Sequence, residues 1–243
     1  MTHHRELRES AYWLLALLAG LLLVRILPAP DAARGLASYL PLHTIMEMLS
    51  IAVAAMVFSI AWVTQKYRLN GRALVLGIGL LGVALLDLSH ALSYAGMPDF
   101  ITPSGPVKAI NFWLAARILA AIGLLIVALR PWYPLRNVHA RFAILGGVLS
   151  YVVIVSWVGF FQPHWVPEFF VPGQGLTPLK LGIEYALVGT YGLAALLFYR
   201  QSSQARAYST VDLYAAAAIA AMSELYFTKY GRVTDLVHAT GRI

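Results

Sequence analysis

The sequence predicts an all-α integral membrane protein. Of its 243 residues, 60% are hydrophobic and 12% are charged, whereas a soluble domain typically has about 45–50% apolar and about 25% charged residues. The apolar runs are long and continuous, which is typical of membrane helices, since barrel strands alternate with a period of two. We therefore expect one transmembrane domain over residues 1–243, built as a helix bundle.

Seven apolar segments approach the length that a bilayer core requires, which is about 20 residues per helix with about 17 as the lower end. They span residues 11–27, 42–63, 73–92, 110–129, 142–161, 179–199 and 211–227. Proline, glycine or charged residues separate them. The tail after the seventh segment is too short and polar to cross back, so it is predicted to be the entry of a truncated eighth helix.

The distribution of lysine and arginine predicts the orientation of the bundle. A cytoplasmic N-terminus places ten of these residues on the inner side and six on the outer side, and cytoplasmic loops carry the excess of positive charge. The chain is thus predicted to be a multi-pass inner-membrane protein with its N-terminus inside. Its net charge of +7 is spread through short loops, so the expected partner is the lipid bilayer and not nucleic acid.

Several chemistries are excluded by the residues themselves. The chain has no cysteine, which removes disulfides, thiolate metal ligands and cysteine nucleophiles. It also has no nucleophile elbow, phosphate loop, kinase signature or HExxH zinc motif. We therefore expect no catalytic residues here, and any catalytic activity is expected in a separate output domain.

Ionisable residues within the apolar segments are the candidate functional residues, because they are costly in a membrane and usually serve a function. Eight of them fall in the outer halves of the predicted helices or just beyond: His43, Glu47, Asp87, His90, Arg117, Glu184, Glu224 and His238. Residues four or three apart share a helix face, which pairs His43 with Glu47 and Asp87 with His90. We therefore predict one outward-facing ligand pocket shared by several helices.

Imidazole and carboxylate groups without thiolates suit a first-row transition metal. The predicted metal ligands are His43, Glu47, His90 and His238. Two histidines on different helices would also suit a haem, and the same groups would hydrogen-bond a quinone or a small polar ligand, with Arg117 supplying positive charge. The structural alternative is that the histidines only bond neighbouring helices and the carboxylates only neutralise Arg117.

Two further patterns concern the helices themselves. Aromatic residues cluster around the end of the fifth segment and predict an aromatic belt at the outer interface, with a lid over the pocket as the alternative; they are Trp157, Phe160, Phe161, Trp165, Phe169 and Phe170. Glycines in the third and fifth segments predict close helix packing; they are Gly77, Gly79, Gly82, Gly146 and Gly147.

Several short motifs resemble one family. The run LHTIMEMLS at 42–50, followed by AW at 61–62, resembles the second helix of the type-three membrane-associated sensor domain. That domain is a bacterial and archaeal input module found upstream of histidine kinases and diguanylate cyclases. Its later elements are similar to LDLSHALSYAGM at 86–97, WLAAR at 113–117, GLTPLK at 175–180 with EY at 184–185, and SELYF at 223–227, and Asp235 and His238 fall in its closing segment.

The resemblance implies a sensory input domain that receives a signal in or near the membrane and transmits it to a cytoplasmic kinase or cyclase. It identifies no ligand, and it leaves the oligomeric state open, with a homodimer as one option. The main alternative is a membrane redox protein that binds a metal or a haem through His43, His90 or His238. A transporter is disfavoured, because the sequence has neither inverted repeats nor a polar site at the midplane.

Overall fold

The computed structural model describes residues 2–26, 39–65, 71–130, 138–171, 174–202 and 210–227. Seven α-helices lie in these ranges. They are α1 (Thr2–Ile26), α2 (Tyr39–Thr64), α3 (Gly71–Leu92), α4 (Pro106–Leu129), α5 (Val138–Phe161), α6 (Pro178–Ser202) and α7 (Thr210–Phe227). A 3-10 turn at Pro163–Trp165 and two-residue strands β1 (Phe170–Val171) and β2 (Gly175–Leu176) lie between α5 and α6.

Each of the seven predicted segments coincides with a helix, so the all-helical prediction is confirmed. Five helices, α2 to α6, are long and apolar enough to cross a membrane over the residues that the structure describes. The protein is therefore a multi-pass helical membrane protein. Seven crossings, an eighth partial helix and a cytoplasmic N-terminus stay predictions, and the residues of the expected eighth helix lie outside the described ranges.

The chain forms two compact units, and each is described by itself. One unit comprises residues 37–172, and the other comprises residues 1–36 and 173–243. In the first unit, hereafter the α2–α5 unit, α3 is the central helix, because α2, α4 and α5 all pack against it. The prediction of one sensor domain over the whole chain stays a prediction.

The core of the α2–α5 unit lies where α3, α4 and α5 meet. Its buried members are Val83, Leu86, Phe112, Ala116, Val152 and Phe160. Two of the predicted glycine contacts are close. A Cβ atom on Gly77 would stand 2.6 Å from the Cβ of Ala61 on α2, and one on Gly82 would stand 2.5 Å from a methyl group of Val148 on α5. These contacts confirm close packing at both positions.

The same prediction was wrong for three other glycines. A Cβ atom on Gly79, Gly146 or Gly147 would meet no atom within 4 Å. No atom of the described residues approaches these three positions closely, and the glycine pattern alone does not distinguish such a position from a contact.

The aromatic residues near the end of α5 divide into two groups. Trp157, Phe161 and Trp165 are exposed, as residues of an interfacial belt would be, and the two tryptophan rings meet edge to face with centroids 5.5 Å apart. The other three are buried; they are Phe160, Phe169 and Phe170. Burial takes these three out of the predicted belt, since packing inside the unit accounts for their position.

The connection between α3 and α4 is closed by its own hydrogen bonds. The Gly105 amide donates to the Ser93 carbonyl, and the Ser104 hydroxyl donates to the carbonyls of Leu92 and Pro98. The Lys108 ammonium donates to the carbonyls of Phe100 and Thr102. This bonding fixes the distance between the end of α3 and the start of α4, where the candidate site lies.

The second unit contains α1, α6 and α7. Helices α6 and α7 pack along each other, and α1 contacts α7. Its buried apolar residues include Tyr191, Ala194 and Phe198 on α6 and Val211 and Ala217 on α7. Small and large side chains pack together along α6 and α7. This packing fixes the positions of the buried charged residues of the unit.

Candidate functional site

Three of the predicted metal ligands meet at the outer ends of α2 and α3 in the predicted orientation. His43 and Glu47 lie one turn apart on α2, and His90 lies near the end of α3. One potential ligand atom from each residue lies within 4.8 Å of the other two. The i, i+4 spacing puts both α2 side chains on the helix face that packs against α3, so the local sequence produces this meeting.

His90 is held from a third helix. Its Nδ1 lies 2.8 Å from the carbonyl oxygen of Ala109 on α4. A carbonyl oxygen only accepts hydrogen bonds, so Nδ1 carries the proton and donates it to Ala109. In the neutral imidazole, Nε2 is then the nitrogen with the available lone pair. The fold thus fixes both the tautomer and the orientation of this buried ring.

Three rings surround the site. The ring centroids of His43 and Tyr94 are 4.4 Å apart, and those of His43 and His90 are 5.7 Å apart. The His90 and Tyr94 centroids are separated by 5.9 Å. Tyr94 follows α3 and was not among the predicted site residues. Its place in the family-like run at 86–97 was the only sequence signal for it.

An ion pair lies beside the three ligand residues. Asp87 stands one turn before His90 on α3, and its Oδ2 accepts a 2.5 Å hydrogen bond from Nη2 of Arg117 on α4. The carboxylate is 7% exposed and the guanidinium is 28% exposed. Both charges are close enough to Glu47 and His90 to act on them electrostatically. Five of the eight predicted residues are therefore grouped within the α2–α5 unit.

One carboxylate oxygen of Asp87 takes no part in the hydrogen bond with Arg117. This oxygen, Oδ1, is buried and makes no hydrogen bond within the described part of the chain. Since a carboxylate oxygen accepts and cannot donate, this atom can take a hydrogen bond from a bound molecule. It is the second acceptor at the site, after the carboxylate of Glu47.

Two other predicted residues, Glu184 and Glu224, lie in the unit of α1, α6 and α7. Both side chains are buried, and the Lys180 ammonium donates to Oε1 of Glu184 one turn further along α6. Lys180, one of the six cations assigned to the outer side, lies near the start of α6 and is 4% exposed. Its i, i+4 spacing from Glu184 was the signal for this pair.

The eighth predicted residue, His238, lies outside the described residues. The single pocket predicted for all eight stays a prediction, as does the role of His238 as a metal ligand. Within the described part of the chain, His43, Glu47 and His90 are the group of histidine and carboxylate donors that lie close enough together to hold a metal ion.

The fold and the site define a class: a multi-pass helical membrane protein with a buried histidine and buried carboxylates among apolar helices. The membrane-associated sensor domain family (MASE3) matches residues 34–243, and the chain belongs to this family. The resemblance seen in the sequence is thereby confirmed, and the family gives the chain a membrane sensory input role. No curated protein and no solved structure matches the chain.

Proposed function

We propose that the chain is an inner-membrane sensory input domain that binds a ligand, metal or cofactor at His43, Glu47 and His90 and signals to a cytoplasmic histidine kinase or diguanylate cyclase. The observation that carries this proposal is the meeting of three potential ligand atoms within 4.8 Å, two from α2 and one from α3. Membership of a sensor family supplies the role, and this group supplies the place where a signal is received.

The free-energy cost of placing ionisable side chains inside a membrane protein supports a binding role for His43, Glu47 and His90. Ionisable side chains inside a membrane protein are expensive and are retained where they pair or serve a function. Asp87 and Arg117 already pair with each other. Arg117 acts electrostatically on the Glu47 carboxylate but bonds to Asp87, so a ligand with positive charge or hydrogen-bond donors would complete the group of His43, Glu47 and His90.

The position of the group supports a signalling role. A ligand shifts a conformational equilibrium only if it binds two arrangements with different affinity. The candidate donors are divided between two helices, so a ligand that contacts all three binds best when α2 and α3 have one particular relative position. Binding and helix packing are thereby linked, which is the property that an input domain needs.

A redox protein is the second candidate, because the same three donors would bind copper or iron. A haem held by His43 and His90 is the other form of this candidate, and the centroids of these two rings are 5.7 Å apart. A visible absorption band in the purified protein that disappears in a His43→Ala, His90→Ala variant would favour the redox candidate.

The sensory proposal is tested by placing the chain upstream of a diguanylate cyclase domain in a bacterial membrane and measuring cyclic di-GMP. Replacing His43 and His90 with alanine removes the contacts between α2 and α3 at the site. We expect output to change by at least about fivefold, the lower end of typical allosteric coupling. His164→Ala is the matched control, since His164 is an exposed histidine of the same unit. Unchanged output at equal protein level contradicts the proposal.

A further inference from the structure

The geometry points to one class of ligand for this site: we propose that it binds a single divalent transition-metal ion of the zinc type. The ligands are His43, the Glu47 carboxylate and Nε2 of His90. This inference rests on the proposed function, because it names the ligand of the same site, yet metal binding can be tested without any signalling assay.

The donor set selects the class of metal. Two imidazoles and one carboxylate suit zinc, copper, nickel and iron, whereas magnesium and calcium prefer sites made wholly of oxygen ligands. Three protein ligands also leave a coordination position open, as in zinc sites that hold a water molecule or an exchangeable ligand. The charge agrees, since one carboxylate partly neutralises a divalent ion and the neighbouring Asp87–Arg117 pair is neutral in itself.

The surroundings of His90 support coordination over simple hydrogen bonding between helices. Metal-binding histidines usually donate their second ring N–H to a carbonyl or a carboxylate, which fixes the ring and makes the other nitrogen a better ligand. His90 does this with the Ala109 carbonyl at 2.8 Å. Nδ1 is used in that hydrogen bond. A metal ion held by the two α2 side chains must therefore bind His90 through Nε2.

The buried Oδ1 of Asp87 has a place in the same site. A metal-bound water or hydroxide in the open position needs a hydrogen-bond acceptor nearby, and this oxygen makes no hydrogen bond within the described residues. Asp87 lies one turn from His90 on the same face of α3. It is therefore positioned to orient a group bound to the metal, while its other oxygen stays with Arg117.

The spacing of the donors predicts a movement. They lie up to 4.8 Å apart, whereas ligands at 2.0–2.1 Å around a tetrahedral zinc ion lie about 3.3 Å apart. Coordination therefore requires the donors to approach one another, by side-chain rotation or by a shift of the outer end of α2 toward α3. Half of the most apolar stretch of α3 is buried, against 6% for α2, and α3 is tied to α4 through His90 and Asp87. Of the two helices, α2 is the less constrained, so any helix shift on metal binding is expected in α2.

The test uses the purified full chain in detergent, with a tag free of histidine and with metal removed by a chelator. Zn²⁺ binding is measured by calorimetry and metal content by elemental analysis, with Mg²⁺ as the comparison ion. We expect one Zn²⁺ per chain and no Mg²⁺ binding. His90→Ala and Glu47→Gln should each raise the Kd for Zn²⁺ by more than the roughly 10–100-fold seen when an outer-shell partner is lost.

His164→Ala is again the control and should leave the Kd unchanged. Circular dichroism establishes that each variant is folded, and Glu47→Gln keeps the shape of the side chain while removing its charge. X-ray absorption of the zinc-loaded chain should show two imidazoles and nitrogen or oxygen ligands at about 2.0–2.1 Å. Zn²⁺ binding that survives His90→Ala, or less than one ion per chain, overturns the metal inference.

The two proposals fail separately. If Zn²⁺ does not bind but cyclase output still depends on His43 and His90, the metal inference is wrong and the sensory proposal stands with another ligand. If Zn²⁺ binds as expected but cyclase output does not depend on His43 and His90, the site is a metal site and the sensory proposal is wrong.

Discussion

Asp87 and His90 stand one turn apart on α3, and each is held by a different group on α4. Arg117 neutralises Asp87 through a 2.5 Å hydrogen bond, and the Ala109 carbonyl accepts from His90. Together these bonds fix α3 against α4 beside the site. Asp87 is buried and Arg117 is half-buried. Removing either side chain therefore leaves the other without the hydrogen-bond partner that its surroundings cannot replace.

At this scale we predict that Asp87→Asn destabilises the protein by about 3 kcal/mol, the lower end of the cost of breaking a buried ion pair, because Arg117 is partly exposed. Unfolding in detergent, followed by circular dichroism against denaturant, measures the change. The double variant Asp87→Asn, Arg117→Gln should recover part of the loss. Glu9→Gln is the control, since it removes a partner from the exposed Arg5–Glu9 pair and should change little. Equal effects of Asp87→Asn and Glu9→Gln would contradict the prediction.

Residue spacing predicted that the donor residues belong to one pocket, but it did not predict the groups that hold them in place. The i, i+4 spacing of His43 and Glu47, at the same depth as His90, put the three in one predicted pocket but did not distinguish them from the other five residues. The Ala109 carbonyl was beyond prediction, because every residue has such an acceptor and only the packing of α4 on α3 selects this one. The Lys180–Glu184 pair has the same i, i+4 spacing, but the hydropathy that defined the segment from residue 179 does not reveal that this lysine is buried.

At the scale of elements, α2 packs along α3, and one close approach between them lies far from the candidate site. The close contact is at Gly77, where a Cβ would stand 2.6 Å from the Cβ of Ala61 and 3.3 Å from the Cα of Phe58. Thirteen residues separate Gly77 from His90, or about 20 Å along the helix at 1.5 Å per residue. The position of α2 at the site therefore depends on packing far from it.

We accordingly predict that Gly77→Ala destabilises the protein by about 1–3 kcal/mol, as overpacking typically does, and weakens Zn²⁺ binding. The reason is that the new methyl group pushes α2 away from α3 and carries His43 and Glu47 with it. Thermal unfolding and the calorimetric Kd measure the two effects. Gly79→Ala is the matched control on the same helix, since a Cβ there meets nothing within 4 Å.

A compensating change sharpens this prediction. Ala61→Gly removes the atom closest to the new methyl group, so the double variant Gly77→Ala, Ala61→Gly should regain most of the stability and of the Zn²⁺ affinity. If the double variant binds Zn²⁺ as weakly as Gly77→Ala alone, α2–α3 spacing does not control the site.

The helices were predictable because apolar runs of this length have few other structures available in a membrane. The ends of α3, α4, α5 and α7 agree with the predicted segments. The starts differ more, and α1 begins at Thr2, nine residues before the predicted segment. Hydropathy measures only the part of a helix that lies in the hydrocarbon, while the hydrogen-bonded helix continues into polar sequence.

At the scale of the whole molecule, the sequence predicts how deep each ionisable residue lies in the membrane, but it does not predict which of these residues are neighbours. Counting from helix ends placed eight ionisable residues near one level. It could not tell which of them face one another, because that depends on how each helix is rotated and which helices are adjacent. Five of the eight are grouped in the α2–α5 unit, Glu184 and Glu224 lie in the other unit, and the single pocket stays a prediction.

Orientation decides which pool of ligand the site samples, and it is tested by labelling. The chain has no cysteine, so each single cysteine introduced is the sole target of a membrane-impermeant maleimide. With ten of sixteen loop and tail cations assigned to the inside, we predict a cytoplasmic N-terminus. In cells whose outer membrane is permeabilised, Gln162→Cys should then be labelled, whereas Tyr67→Cys and Gln204→Cys should be labelled only after the inner membrane is broken.

The expected labelling would put the outer ends of α2 and α3, with His43 and His90, on the side away from the cytoplasm. A metal bound there would report on the periplasm or on medium that reaches it, and the chain would carry that signal inward. The reverse labelling would contradict the charge-based orientation and place the site next to the cytoplasm, where Zn²⁺ is supplied by a different pool. In that case, adding an impermeant chelator to intact cells would leave the output of the cyclase fusion unchanged, whereas the predicted orientation requires the output to respond.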